Sequence, residues 1–201
     1  AAEVRAAGGT QSLGTRVNGL TGGGCNAGVC VVSGGTRAGR NLFHRFSSFD
    51  TRGDVTGVNI RNGTARNVIV GVTDPLGTVL DTAVTLARRG NVVWLSPGGV
   101  TISAAGGFRE VSSLVLSTGT GLRLTNGVFD VIKTDARAAA ALTASPDWGR
   151  SAVLNDPTSL TALGLTANGD LSLSGGALTV DASLLLDAQG GNLVLQAASL
   201  Q

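Results

Sequence analysis

The chain reads as an all-β protein wound into a coiled solenoid, and three observations predict this. Its apolar residues, 42% of the total, are mostly Ala, Val and Leu broken by 31 Gly and many Ser and Thr. That mixture favours short strands and tight turns over long helices. Leu is abundant but rarely falls at helical spacing, so it is strand-borne. Finally, Gly-(Asp/Asn)-Leu-x-Leu begins at Gly169 and again at Gly191, giving a unit of about 22 residues that holds several short strands. In such a coil each strand stacks on its equivalent one turn later, and inward Leu and Val fill a continuous core. A sandwich would show turn signals every ~8–12 residues but would not predict near-identical units at a longer fixed period.

The elements follow in order. Residues 1–40 carry short apolar alternations, "GTRVNGL" and "GVCVVSGG", which predict two or three strands joined by Gly turns. The stretch "NLFHRFSSFD" (41–50) gathers three of the five Phe and the only His. "DVTGVNI" and "RNVIVGVTDP" are again short and β-branched. "DTAVTLARRGNVVWLSPGGVTIS" alternates along two runs, with Arg88-Arg89-Gly90-Asn91 as a turn between them. From Val111 the alternating runs recur as "SSLVLST", "GLRLTNG", "GDLSLSG", "GALTVDA", "ASLLLDA" and "GNLVLQA". Residues 135–157 interrupt them. Their Ala-rich centre has helix propensity, and Pro146 and Pro157 bracket its end, so this is an excursion containing a short helix or a loop. The organisation expected is one domain over 1–201: a capping region at 1–50, first rungs at 51–134, the excursion at 135–157 and regular rungs at 158–201.

Charge and length exclude several classes. With 14% charged residues the chain is too apolar for disorder, and a net charge of +2 is too small to argue for a nucleic-acid partner. Every Lys and Arg lies at or before Arg150, and past residue 160 the only charges are Asp170, Asp181 and Asp187. No apolar run approaches the ~18 residues that span a bilayer, so membrane insertion is not expected. The chain lacks Met, so Ala1 is read as a start left by signal-peptide removal or by engineering. Its end, "AASLQ", stops in the middle of a strand and reads as the front of something longer.

Cys25 and Cys30 sit in "GGGCNAGVCVV". Four intervening residues, Gly28 among them, allow a small closed loop. A local disulfide is expected, with free thiols or a metal as the alternatives. A zinc site needs more ligands than His44 can add, and the calcium repeat Gly-Gly-x-Gly-x-Asp is absent. No metal and no cofactor are therefore expected. A disulfide would place the protein in an oxidising compartment.

"SGGTRAGRNLFHRFSSFD", followed about fifty residues later by "GNVVWLSPGGVTIS", resembles the two-partner secretion domain, the N-terminal haemagglutination-activity module of filamentous-haemagglutinin-like exoproteins of Gram-negative bacteria. Asn41, Leu42, Phe43, His44, Phe46 and Phe49 match that family's first motif, with Arg45 where Ser is usual. Its second motif, Asn-Pro-Asn-Gly, stands here as Ser96-Pro97-Gly98-Gly99 before Val100. The likeness covers about residues 5–130. It implies a right-handed parallel β-helix with an N-terminal cap and extra-helical β-strands. It further implies a secretion signal, recognised by periplasmic domains of an outer-membrane β-barrel transporter, with the folding of successive turns helping to drive export. The protein would then be secreted or held at the cell surface by way of the periplasm, as a monomer.

Leu42, His44 and Phe46 should alternate on one side of an extended strand, with Phe43 on the other. Two roles stand side by side for the segment: Phe43, Phe46 and Phe49 plug the end of the coil, or the segment contacts the transporter. His44 is expected to be a hydrogen-bonded packing residue, since no Ser/Asp pattern accompanies it. Ser96–Gly99 has the composition of a type I or II turn with Pro second, and Trp94 before it is expected in the core. Asn62-Gly63-Thr64, a glycosylation sequon, is read as an exposed turn. Two other function classes compete: an adhesin or ligand-binding surface, and a polysaccharide-degrading enzyme. The enzyme needs clustered carboxylates, and those of the repeats are sparse.

Overall fold

A computed structural model describes residues 2–146, 153–154, 158–163, 171–180 and 193–201. The chain is a parallel β-solenoid of about five turns. Antiparallel strands begin it: β1 (Val4–Ala6), β2 (Thr15–Val17), β3 (Leu20–Thr21) and β4 (Gly24–Cys25). β1 pairs antiparallel with β4, and β2 with β3, which gives the coil a front cap. The first turn holds β5 (Ala27–Gly34), β6 (Thr36–Ala38) and β7 (Asn41–Asp50); the second holds β8 (Asp54–Ile60), β9 (Asn67–Val72) and β10 (Thr78–Leu80). β11 (Ala83–Leu95) and β12 (Val100–Ile102) make the third. β13 (Gly107–Ser117) opens the fourth.

After β13 the chain leaves the coil. β14 (Gly121–Leu124) and β15 (Gly127–Asp130) form an antiparallel hairpin, helix α1 (Ala136–Ala140) follows, and β16 (Val153–Leu154) pairs back on β14. The chain re-enters at β17 (Ser159–Ala162) and continues through β18 (Leu171–Val180) and β19 (Leu193–Leu200). The excursion therefore opens near Thr118 rather than at 135. "GLRLTNG" is one arm of an outer hairpin and not a rung. Alternation reports that one face of a strand is covered, not what covers it. The short helix starts at an Asp135 N-cap, whose carboxylate accepts from the Ala138 amide at 2.8 Å. Asp170, Asp181, Asp187 and Pro157 lie outside the described residues.

Parallel pairing builds three walls. β5, β8 and the first halves of β11 and β13 form one. β7, β9, the second halves of β11 and β13, then β18 and β19 form another. The end of β7 with β10, β12, β17 and the end of β18 forms the last. Arg88–Asn91 was expected to be a turn between strands. Instead β11 runs through it, with register shifts on both sides of Gly90 marking the corner between two walls. Only Gly fits there, because a Cβ would lie 2.9 Å from the Arg66 carbonyl oxygen of the turn above.

Register makes the inward columns explicit. Leu42, Val68, Val92, Leu114 and Leu171 align one per turn, and so do His44, Val70, Trp94, Leu116, Leu173 and Leu195. Outward neighbours on the same wall, Phe43, Ile69, Val93 and Val115, are also buried, because the outer hairpin and helix cover them with Leu122, Leu124, Phe129, Val131 and Leu142. Hence "NVIVGV" is buried at every position. Each fully buried Val, Leu or Phe contributes roughly 1.5–3 kcal/mol, so both layers matter to stability.

Cys25 and Cys30 are joined, with an S–S distance of 2.06 Å. Cys25 pairs with Val4 of the cap and Cys30 with Val58 of the second turn, so the bridge pins the cap to the coil. Closing so short a loop in the unfolded chain is worth about 2 kcal/mol. Reduction is expected to lower the unfolding free energy in urea by that amount, and an unchanged midpoint with reductant would show the tether to be idle.

Candidate functional site

The first motif lies on β7, the first strand of its wall. Residues 41–46 are buried without a break, and Ser47 is exposed. Leu42, His44 and Phe46 face inward, and Phe43 faces out against Phe129 at 5.0 Å. Simple alternation would put Phe49 on the Phe43 side. A bulge prevents this: Ala6 pairs with Phe46 but Arg5 with Ser48, so Ser47 is the extra residue. The slip brings Phe49 back into the core three residues after Phe46. There Phe46 and Phe49 meet edge to face at 4.9 Å, Phe49 meets Trp94 at 4.6 Å, and Trp94 meets Phe108 at 5.5 Å.

The second motif meets the first at this aromatic group. Phe49 pairs with Thr78 in register. The Trp94 indole N–H donates to the Thr78 hydroxyl at 3.0 Å, which donates to Ser96 Oγ at 2.9 Å, which donates to the Gly99 carbonyl at 2.8 Å. The Gly99 amide also donates to the Ser96 carbonyl at 2.9 Å, closing a turn with Pro97 second. It stacks on an equivalent turn above, where the Gly77 amide donates to the Asp74 carbonyl at 2.8 Å behind Pro75. Gly98 is required by that stacking, since a Cβ would meet the Asp74 and Pro75 carbonyls. Ser96 is buried, while Pro97, Gly98 and Gly99 are half-buried.

His44 is buried in the column that otherwise holds Val70, Trp94 and Leu116. Its Nδ1 lies 3.0 Å from the Thr15 hydroxyl, and that hydroxyl accepts from the Arg45 amide at 3.2 Å. Its Nε2 is buried without a partner. Burial lowers its pKa to about 4, so the ring is neutral at physiological pH. Gly35, at φ +88°, passes so close that a Cβ would fall 2.7 Å from the ring.

Asn41 heads a ladder that sequence reasoning missed. The Asn67 amide donates to Asn41 Oδ1 at 2.9 Å and the Asn91 amide to Asn67 Oδ1 at 3.0 Å, while Asn41 donates to the Leu142 and Ala144 carbonyls of the excursion. The signal was present in "RNLF", "RNVI" and "GNVV", each an Asn before an apolar run. Arg45 was read only as a departure from a motif. It is a clamp: its guanidinium donates to the carbonyls of Val131, Gln11, Asp130 and Thr134, at 2.6 to 3.2 Å, and lies 5.7 Å from the Phe129 ring centre. Asn62, expected at an exposed turn, is buried, and its side chain both donates to and accepts from the Arg88 backbone at 2.8 and 3.0 Å. A glycan there would break both bonds.

Fold and site define a capped parallel β-solenoid whose two sequence motifs converge on one buried aromatic group. Among the described residues, no three His, Cys, Asp or Glu side chains converge as a metal site. No known protein family matches the chain, and no curated protein matches it in sequence.

Proposed function

We propose that the chain is the N-terminal secretion-signal module of a large exported protein, read by the periplasmic domains of an outer-membrane β-barrel transporter of the two-partner type. The observation that supports this reading is the unbroken burial of residues 41–46, tied at once to the cap by Thr15 and Gln11 and to the outer hairpin by Asp130, Val131 and Thr134. A segment so enclosed is available to a partner only before the coil closes. Recognition would then act on the extended chain, and folding would withdraw the segment from the transporter. Turns added afterwards need only nearest-neighbour contacts, which gives export a direction without a nucleotide. The module itself performs no catalysis in this reading and ends outside the cell or on its surface.

Deletion of residues 41–49 is expected to abolish export of the chain when it is coexpressed with its transporter. Because that deletion also removes core residues, a peptide spanning 41–50 is tested against the isolated periplasmic domains. It should bind, and a scrambled peptide should not. Normal export of the deletion variant, or equal binding of the two peptides, overturns the proposal.

A further inference from the structure

A polar cavity of about 380 Å³ opens at the corner between two walls of the solenoid, lined by Arg40, Arg66, Arg88, Arg89 and the Thr64 segment. All four arginines are exposed. Arg40 and Arg66 occupy equivalent places one turn apart: the Arg66 and Asn67 amides both donate to the Arg40 carbonyl, and the Asn91 amide donates to that of Arg66. Adjacent strands are about 4.8 Å apart, so the two side chains leave the corner from neighbouring backbones, and both line the cavity. Arg89 has a weak pairing with Glu110 at 3.7 Å, and no carboxylate pairs with Arg40, Arg66 or Arg88 among the described residues. Yet their backbones are held firmly, Arg40 and Arg66 beside the asparagine ladder and Arg88 by both polar atoms of the Asn62 side chain. A rigid corner that gathers the guanidinium groups of Arg40, Arg66 and Arg88 around a cavity raises the local positive potential and favours an anion there.

We propose that this corner binds a compact ligand carrying two or more phosphate or sulfate groups. The guanidinium fork grips two oxygens of a phosphate, sulfate or carboxylate alike, but one phosphate or sulfate offers three acceptor oxygens and can engage several of these arginines at once. No aromatic side chain lines the cavity, so a nucleobase would find no stacking surface there. Phosphate or sulfate is the recognised chemistry, whether free or borne on a glycan. The site is independent of the secretion reading, because none of its residues belongs to the buried motifs.

Calorimetric titration of the whole chain with pyrophosphate and with a fully sulfated disaccharide tests this at about 0.01 M ionic strength, where screening is weak. Binding of pyrophosphate alone would identify a free phosphate ligand, and binding of both a glycan-borne one. Arg66→Gln and Arg40→Gln are each expected to weaken binding about tenfold or more, the loss of charge-assisted hydrogen bonds. Arg123→Gln, an equal loss of charge on a residue that does not line the cavity, should leave binding within about twofold when the titration is repeated at about 0.15 M ionic strength, where the Debye length falls to about 8 Å. Amide shifts on titration should centre on residues 62–66 and 88–91. Failure of both anions to bind, equal weakening by Arg123→Gln, or a tetra-aspartate peptide binding as tightly as pyrophosphate would each overturn the proposal, the last by pointing to an acidic polypeptide instead.

Discussion

Replacing Arg45 with methionine is expected to lower the unfolding free energy by about 3–5 kcal/mol, because two buried carbonyls lose charge-assisted hydrogen bonds worth about 1.5–3 kcal/mol each. The side chain is 1% exposed. Its four acceptors come from two otherwise separate parts of the chain: Gln11 in the cap, and Asp130, Val131 and Thr134 at the end of the outer hairpin. Methionine fills similar space but donates nothing, so the carbonyls of Val131 and Thr134 would be left dry or forced open to water. Burial pulls the guanidinium pKa down, and the carboxylates of Asp130 and Asp135 push it up; the charge survives because backbone carbonyls replace its hydration. Lysine should recover part of the loss, since one ammonium cannot reproduce a planar fork reaching four oxygens. Urea unfolding measures the loss, and hydrogen exchange should show the amides of β14 and β15 opening first. A methionine variant within about 1 kcal/mol of the parent, the worth of one ordinary hydrogen bond, would show that Gln11 and the hairpin are held by other contacts.

Arg45 also shows what the sequence could and could not convey. Leu171 and Leu193 in register follow directly from the Gly-x-Leu-x-Leu unit, and the inward facing of Leu42, His44 and Phe46 follows from strand alternation. Three features broke that legibility, each for a physical reason. The early turns vary in length, so the Asn41, Asn67 and Asn91 ladder recurs without a fixed period. Single-residue slips at Ser47 and Gly90 reset the inward phase, returning Phe49 to the core and turning an expected loop into a corner within β11. The wall carrying Phe43, Ile69 and Val93 is covered on its outer side as well. A strand buried on both faces loses its alternation, and nothing local then announces the hairpin that covers it. Arg45 is the charged residue within that second layer, and its meaning depends on carbonyls more than eighty residues away in the chain.

The other large effect is a loss of stability in mild acid, and it comes from His44. In the unfolded chain the imidazole titrates near 6.5, whereas burial holds the folded-state value at about 4. The folded state therefore refuses a proton that the unfolded state accepts. Stability is intact above about pH 6.5, falls as the pH drops toward 4, and the loss is complete below that, amounting to about 3 kcal/mol. Burial is the cause of the shift, and among the described residues no carboxylate pairs with the ring to offset it. Asp50 acts in a different window. Its partial burial raises its pKa, but hydrogen bonds and charge from Arg52 outweigh this and leave it lowered, so its contribution is lost only in stronger acid, as the pH falls through that lowered value. His44→Leu continues the Val70 and Leu116 column and should flatten the fall between pH 6.5 and 4. The bond given up with Thr15 limits its gain, although Thr15 still accepts from the Arg45 amide. Urea midpoints at pH 7, 5.5 and 4.5 for both proteins decide the matter: parallel curves would mean that the ring is hydrated or protonated inside the fold, and that the orphaned Nε2 has a partner after all.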